Sequence, residues 1–308
     1  SIFPSFFLPA LNDVSLFFSN LWFGCSLSWN CEFQKGFYCL EKALNINVAA
    51  NRLWGISVVK SLISYMVYYF QGKLNLSYQT SDEAICIAKE SGDIFSKSMA
   101  YINHGICCYG KGFFEKATEH LLKGVDFCER INYFNWNSIA EQVLGDICFE
   151  IGEYQKSKEH YSRAISLLEH GGVWPSLINL NKIALARTEV MSNEKDIYLE
   201  SLYEYAAANK MKSCDGMMAR YISAILLNID DHHLSEAGDW INKAIEMDKQ
   251  NGMMWYLGQD YSLYAELFKR KNDQSKTKEN LNKAIETFKE CGADGWVLKY
   301  EKEFAALQ

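Results

Sequence analysis

Proline and an excess of positive charge are what this sequence most clearly lacks. Its 308 residues include only 3 prolines and 19 glycines, and 22% of them are charged. This composition excludes collagen-like and long disordered segments and lets helices run without interruption. The 31 basic residues are outnumbered by 38 acidic ones, giving a net charge of −7. Because that charge repels a phosphate backbone, we expect no nucleic-acid partner.

The cysteines lack the spacing of metal sites and of disulfide-rich folds. There are ten, about 3% of the chain, and none forms a Cys-x-x-Cys pair. Small secreted folds that are held together by disulfides carry a far higher density. We therefore predict reduced thiols, no metal site and a cytoplasmic location.

A membrane-spanning segment is not expected either. Residues 1–30 are rich in Phe, Leu and Trp, but Pro4, Pro9 and Asp13 interrupt the apolar run too early for a membrane helix. A signal peptide would need a basic start, which is absent. Residues 1–72 contain only seven charged side chains, so we expect something to cover part of their surface.

Catalytic motifs are also missing. The sequence has no Gly-x-Ser-x-Gly, no His-Glu-x-x-His and no EF-hand pattern, and Gly110-Lys111-Gly112 lacks the spacing of a phosphate-binding loop. His104 and Cys108 are four residues apart, but both fall on positions expected to be buried, where a free Cys behaves as a small apolar residue. We predict a protein that is not an enzyme and binds no cofactor.

An internal repeat of 40 residues is the main feature that is present. A small residue followed by an aliphatic one recurs at this interval, with Glu204-Tyr205 as a degenerate member and a further unit 41 residues upstream. The pairs are Ala43-Leu44, Ala84-Ile85, Gly124-Val125, Ala164-Ile165, Ala244-Ile245 and Ala284-Ile285. They predict seven repeats, starting near residues 17, 58, 98, 138, 178, 218 and 258.

Each repeat has the pattern of two amphipathic helices, since apolar and small residues recur three and four positions apart on either side of a polar break. The expected fold is therefore all-α, a solenoid of antiparallel helix pairs. We assign residues 1–16 to an N-terminal apolar segment, 17–293 to the solenoid and 294–308 to a capping helix. Asp294 is expected to cap that last helix.

The repeat resembles the tetratricopeptide (TPR) family. The best match is Leu144-Gly145 followed by Ser157, Tyr161 and Ala164, which fits the family's Leu-Gly, small-x3-aromatic and small-residue positions. The period is 40 rather than 34, and the closing proline is absent. The resemblance implies a right-handed superhelix.

A narrower resemblance lies at the C-terminal end. Residues 288–303 are similar to the closing segment of long-period TPR arms in STAND ATPase regulators and ATPase-linked class III cyclases. The chain begins at Ser1 without a methionine. The resemblance implies the sensor or docking arm of a larger signalling protein.

The family resemblance also implies a binding surface, because the first helix of each TPR unit lines the concave face at fixed positions. Projected onto this sequence, those positions are apolar and aromatic in the first half of the groove and polar in the second. The candidate partner-binding residues are Trp29, Leu62, Met66, Tyr69, Phe70, Ile102, Ile106, Tyr109, Gln142, Asp146, Asn179 and Lys182.

Two explanations of the apolar half remain open. It could be a groove for an apolar or amphipathic helix or an extended peptide. Alternatively, residues 1–16 fold back into it, or an upstream domain covers it. An apolar N-terminal edge would also favour self-association.

The first function that we expect is therefore a non-catalytic protein-binding module acting as a sensor or scaffold arm. The alternative is a receptor for a small molecule or short signalling peptide, resembling Rap-type regulators, in which the superhelix closes round its ligand.

Overall fold

The computed structural model describes residues 7–194 and 197–307, with side chains from residue 13 onward. This part of the chain folds into fifteen α-helices and contains no β-strand. They are α1 (Phe7–Trp29), α2 (Phe33–Ala49), α3 (Leu53–Leu62), α4 (Leu74–Ser91), α5 (Ile94–Lys111), α6 (Phe114–Arg130), α7 (Phe134–Glu150), α8 (Tyr154–Gly171), α9 (Pro175–Met191), α10 (Leu199–Ala207), α11 (Lys212–Ile229), α12 (Leu234–Asn251), α13 (Met254–Arg270), α14 (Gln274–Cys291) and α15 (Asp294–Ala305). A π-helical segment, Ile63–Tyr69, continues α3, and a short 3-10 turn, Asp231–His233, precedes α12.

The helices form seven consecutive pairs, α1–α2 to α13–α14, followed by α15. Second helices begin at Leu74, Phe114 and Tyr154, and again at Leu234 and Gln274, which keeps the 40-residue interval. The fifth pair is the irregular one, because α10 has only nine residues. The expected all-α solenoid of helix pairs is confirmed.

Left-handed backbone residues separate the helices at a regular spacing. Gly72, Gly112 and Gly152 follow first helices, and Gly92 and Gly172 follow second helices, all with φ between 62° and 79°. Where this series has no glycine, an asparagine generally takes the left-handed conformation, which it tolerates better than most residues. The turn between helices thus recurs about every 20 residues, half the repeat period.

The superhelix closes on itself, so that the seventh pair and α15 pack against the second and third pairs. The ring of Tyr69 lies 5.5 Å from that of Trp255 on α13. The indole Nε1 of Trp296 donates to the carbonyl of Tyr109 at 3.0 Å. Lys111 Nζ lies 2.5 Å from a carboxylate oxygen of Asp294. Residues nearly 190 positions apart are therefore in direct contact.

Gly112 allows the closest approach at this junction. Its φ is +79°, and a Cβ built on it would lie 2.8 Å from the backbone of Gly295. Any other residue would be strained there and would also push α15 away from α5.

One expected boundary and one expected helix cap differ from the structure, although α15 begins at residue 294 as assigned. Residue 17, where the first repeat was expected to start, lies inside α1, and residues 1–6 lie outside the described residues. Asp294 is not the cap of α15, because Ala293 occupies that position and the Asp294 side chain is engaged by Lys111. Trp296 and Tyr300 are buried, so α15 packs into the ring as well as ending the solenoid.

Among the described helices, none combines the length and apolar character that crossing a membrane requires.

We predict that Trp296→Ala will open the ring. Truncating a buried Trp costs about 3–5 kcal/mol of unfolding free energy, and here it also removes the hydrogen bond to Tyr109. Denaturant unfolding should show the loss, and small-angle scattering should show a larger radius of gyration. Leu298→Ala is the matched control, since Leu298 is 60% exposed on the same helix. An unchanged radius of gyration for Trp296→Ala would show that the closure does not depend on this contact.

Candidate functional site

An apolar pocket of about 440 Å³ opens at one end of the closed superhelix. We call it the tryptophan pocket, because five indole rings line it together with three methionines. These residues come from the first four pairs and from the start of α9 and α11: Trp22, Trp29, Trp54, Trp136, Trp174, Met66, Met99 and Met211. Small-molecule and peptide sites have this size and this apolar lining.

The π-helical segment positions one wall of the pocket. Ser61 and Ser64 donate their hydroxyls to backbone carbonyls three and four residues earlier, a bonding pattern that competes with the regular helix. The wider turn places Met66 in the tryptophan pocket and Tyr65 and Tyr69 beside a second, deeper cavity. Such π-turns are frequent at functional sites.

The second cavity, which we call the central cleft, is narrow, with room for about 40 Å³. Trp29 lines both the cleft and the tryptophan pocket, so the two adjoin. Asp146 lines the cleft. One of its oxygens accepts from the hydroxyls of Tyr161 at 2.7 Å and Tyr221 at 2.9 Å, and Arg187 Nη2 lies 3.4 Å from it.

Asp146 is held by these donors in a dry environment. Burial raises the pKa of its carboxyl, while Arg187 and the two tyrosine hydroxyls act in the opposite direction. The Arg187 guanidinium is held between two aromatic rings, 3.6 Å from the centroid of Phe149 and 3.9 Å from that of Tyr221. Such cation–π contacts fix its position. The cleft is therefore preorganised.

A second buried charged cluster lies beside the first. Arg220 Nη1 is 2.9 Å from Asp260 and 3.6 Å from Asp248, and neither carboxylate is exposed to solvent. Gly216 makes room for this arrangement, since a Cβ there would lie 2.1 Å from an Asp248 oxygen. Burial, together with repulsion from Asp260, raises the pKa of Asp248 well above its usual value.

Beyond the cleft, a third cavity of about 300 Å³ has a charged lining. Glu150, Arg187, Arg220 and Gln259 line both this cavity and the central cleft. Lys299 on α15 reaches Glu150 at 2.7 Å across the closure. The interior therefore changes along its length from apolar at the tryptophan pocket to charged at the opposite end.

Eight of the twelve candidate residues line the first two cavities. The tryptophan pocket includes Trp29, Leu62 and Met66. The central cleft includes Trp29, Tyr69, Ile106, Tyr109, Gln142 and Asp146.

The other four candidates lie elsewhere. Phe70 is fully buried among aromatic rings, and Ile102 packs where α5 meets Gly124 of α6. Asn179 donates to the carbonyl of Tyr205, and Lys182 pairs with Glu169 of α8.

A shift of register explains the last two positions. The residue that faces Asp146 from the fifth pair is Arg187, 41 positions later rather than 40. One extra residue rotates a helix face by about 100°. Projection at a constant interval therefore selected Asn179 and Lys182, which point between helices, instead of the residues that face the cavity.

Around Tyr69 and Phe70 the apolar half of the groove is not open. Tyr69 and Phe70 are 2% and 0% exposed, and both pack against α13. Of the two explanations left open from the sequence, a covered surface is what the structure has at these two residues. The seventh helix pair covers these two residues. From the sequence, only residues 1–16 or an upstream domain had been considered as the cover.

Several residues that line the cleft were not identified from the sequence as site residues, among them Arg187, Arg220 and Trp255. A signal for the arginines does exist. Each directly follows an apolar run of a first helix, residues 183–186 before Arg187 and residues 216–219 before Arg220. Such a charge is rarely buried unless it is paired, so it suggests an internal ion pair.

All ten cysteines are unpaired, and within the described residues no group of three or more His, Cys, Asp or Glu side chains could hold a metal ion.

Comparisons with known proteins place the fold. No family model and no curated protein matches this sequence. Among solved structures, aspartyl phosphate phosphatase F from Bacillus subtilis aligns with a TM-score of 0.62 at 14% identity, over 91% of this chain and 72% of that one. The apo form of RapI aligns with a TM-score of 0.61 at 14% identity, over 88% and 97% of the two chains.

A Rap protein complexed with Competence and Sporulation Factor aligns with a TM-score of 0.54 at 10% identity, over 95% of this chain and 99% of that one. At these identities the likeness concerns the fold. The chain has the TPR-type helical solenoid fold seen in Rap proteins, as its repeat led us to expect.

We predict that the stability of the chain falls with rising pH because of Asp248. Its raised pKa means that the folded state keeps a proton that the unfolded chain has already lost above pH about 4. The free energy of unfolding should therefore fall as pH rises from there through the folded-state pKa. Asp248→Asn should flatten this decline, measured by denaturant unfolding between pH 4 and 8.

Asp239→Asn is the control, because Asp239 is exposed on the same helix, α12. It should follow the wild-type pH profile. Equal slopes for wild type and Asp248→Asn would mean that the buried carboxyl pair does not govern the pH dependence.

Proposed function

We propose that this chain is a non-catalytic receptor module that binds a short peptide inside its closed superhelix, with the apolar part of the peptide in the tryptophan pocket. The observation that supports this most directly is the pocket itself. It offers about 440 Å³ of apolar space next to a polar cleft, whereas Tyr69 and Phe70 on the same concave surface are covered by the seventh pair.

The closed ring favours the receptor over a scaffold with an open groove. A long amphipathic helix would need the face that holds Tyr69 and Phe70, and both are buried. A short peptide needs only the pocket and the cleft beside it. The solved complex of a Rap protein with Competence and Sporulation Factor supports a ligand-binding role for this fold.

The absence of catalysis is part of the proposal, although one fold relative is named a phosphatase. Asp248 and Asp260 are the carboxyl pair whose pKa values are both raised, as a general acid and base would require. Both are 0% exposed, and neither lines any of the three cavities. A substrate in those cavities would not meet them, so we assign the pair to internal packing.

The setting in a cell is also part of the proposal. We infer a cytoplasmic arm of a larger signalling protein, as the similarity of residues 288–303 to STAND and cyclase arms implies. The first helix pair exposes Leu16, Trp22, Phe23 and Tyr38. This apolar edge would contact either an upstream domain or a second copy of the chain.

Trp22→Glu should weaken peptide capture. Trp22 is 56% exposed at the rim of the pocket, so the change should leave the fold intact while placing a charge where an apolar group enters. Wild-type protein should select a set of apolar sequences from a synthetic hexapeptide library in affinity selection with mass spectrometry. The variant should lose about tenfold or more in affinity for each selected peptide.

Phe23→Glu is the matched control. Phe23 is the next residue of α1, it is 60% exposed, and it does not line the pocket. It should retain wild-type affinity. If wild type selects no peptide, or if Trp22→Glu retains the peptides that wild type selects, the pocket is not the binding site.

A further inference from the structure

Three hydrogen-bond donors in the central cleft have no acceptor in the protein. They are the indole Nε1 of Trp255, the amide Nε2 of Gln259 and the guanidinium Nε of Arg187. All three residues line the cleft, and each is more than nine-tenths buried, with 2%, 8% and 7% of its surface exposed. An unpaired buried donor costs about 1–3 kcal/mol, so three around one small space call for an explanation.

The acidic groups that line the cleft are already engaged. Asp146 is bonded to Tyr161 and Tyr221. Asp248 and Asp260 keep carboxyl oxygens without a hydrogen-bond partner, but neither residue lines the cleft. Glu150, at the charged side of the cleft, is paired with Lys299. The groups of the cleft that remain free to bind a ligand are therefore hydrogen-bond donors, namely a guanidinium, an amide and an indole N–H.

The size of the cleft limits which hydrogen-bond acceptor of a ligand can enter it. About 40 Å³ holds two or three water-sized groups, because one water needs about 10–15 Å³ of such space. A carboxylate fits this volume, and its two oxygens can accept from several N–H groups at once. Hydrogen bonds between a carboxylate and a guanidinium are also stronger than those between neutral groups.

We propose that the central cleft binds the carboxylate of a ligand whose apolar body lies in the tryptophan pocket. Trp29 lines both cavities, so it lies between the carboxylate and the apolar body of such a ligand. The inference rests on the proposed function and narrows it to a peptide bound by its free C-terminal end. The shared chemistry, an apolar chain that carries a carboxylate, would also be supplied by a fatty acid.

The experiment compares the same hexapeptide library in two forms, one with a free C-terminal carboxyl and one with a C-terminal amide. Decanoate, paired with decanol, is the fatty-acid probe and is measured by calorimetry. We expect free-acid peptides to be enriched, with about tenfold higher affinity than their amides. Gln259→Met should reduce this preference without abolishing binding to the pocket, because it removes a donor and keeps the side-chain length.

Trp255→Phe is the second donor variant and serves if Gln259→Met does not fold. It keeps an aromatic ring against Tyr69 and loses the N–H. Gln155→Met is the control, since Gln155 is exposed on α8 and bonded to Glu159. It should keep the wild-type preference for the free acid.

The outcomes separate the two proposals. If wild-type protein captures free-acid and amide peptides equally, and Trp22→Glu loses this capture, the carboxylate site is overturned and the peptide pocket stays in place. Binding of decanoate but not decanol, with no peptide selected, would support the carboxylate site and overturn the peptide as its source. An unchanged acid preference in both folded donor variants, or no binding of any probe, would overturn the carboxylate site.

Discussion

The packing of the seventh helix pair and α15 against the second and third pairs is the contact on which the rest of this structure depends. Solenoid repeats normally touch only their neighbours, and their stability is then a sum of local terms. Here Trp255 packs against both Tyr69 and Tyr109, Trp296 packs against Tyr109, and the two tryptophans bring distant units together. An open groove thereby becomes a closed interior, and what would be a surface becomes a set of cavities.

Closure has an electrostatic consequence. Polar positions that would face water in an open superhelix are dehydrated, and each charge then needs a partner inside. Arg187 and Arg220 are paired with Asp146 and Asp260, and α15 contributes Lys299 to pair with Glu150. The donors that remain unpaired beside these ion pairs belong to residues that line the central cleft, which adjoins the tryptophan pocket. The affinity that we propose for a carboxylate follows from that arrangement.

The repeat pattern places some of the candidate residues at the cavities and others away from them. Trp29, Met66 and Asp146 line cavities, and their positions follow from the 40-residue interval and the face of the first helix. Asn179 and Lys182 lie away from the cavities because the fifth unit has shifted by one residue, which a constant interval cannot reveal. Trp255 was missed because its role depends on a contact with Tyr69, 186 residues earlier, and no local pattern encodes that contact.

The sequence by itself determined the class of fold. Amphipathic spacing, small residues at fixed positions and Gly or Asn at most turns are local properties, and they fix helix pairs whatever the rest of the chain does. Only the tertiary structure decided that the superhelix closes, which groove residues are buried and where the cavities lie. The small rotations and shifts between neighbouring repeats add up over seven units, so a one-residue change in one unit alters which surfaces finally meet.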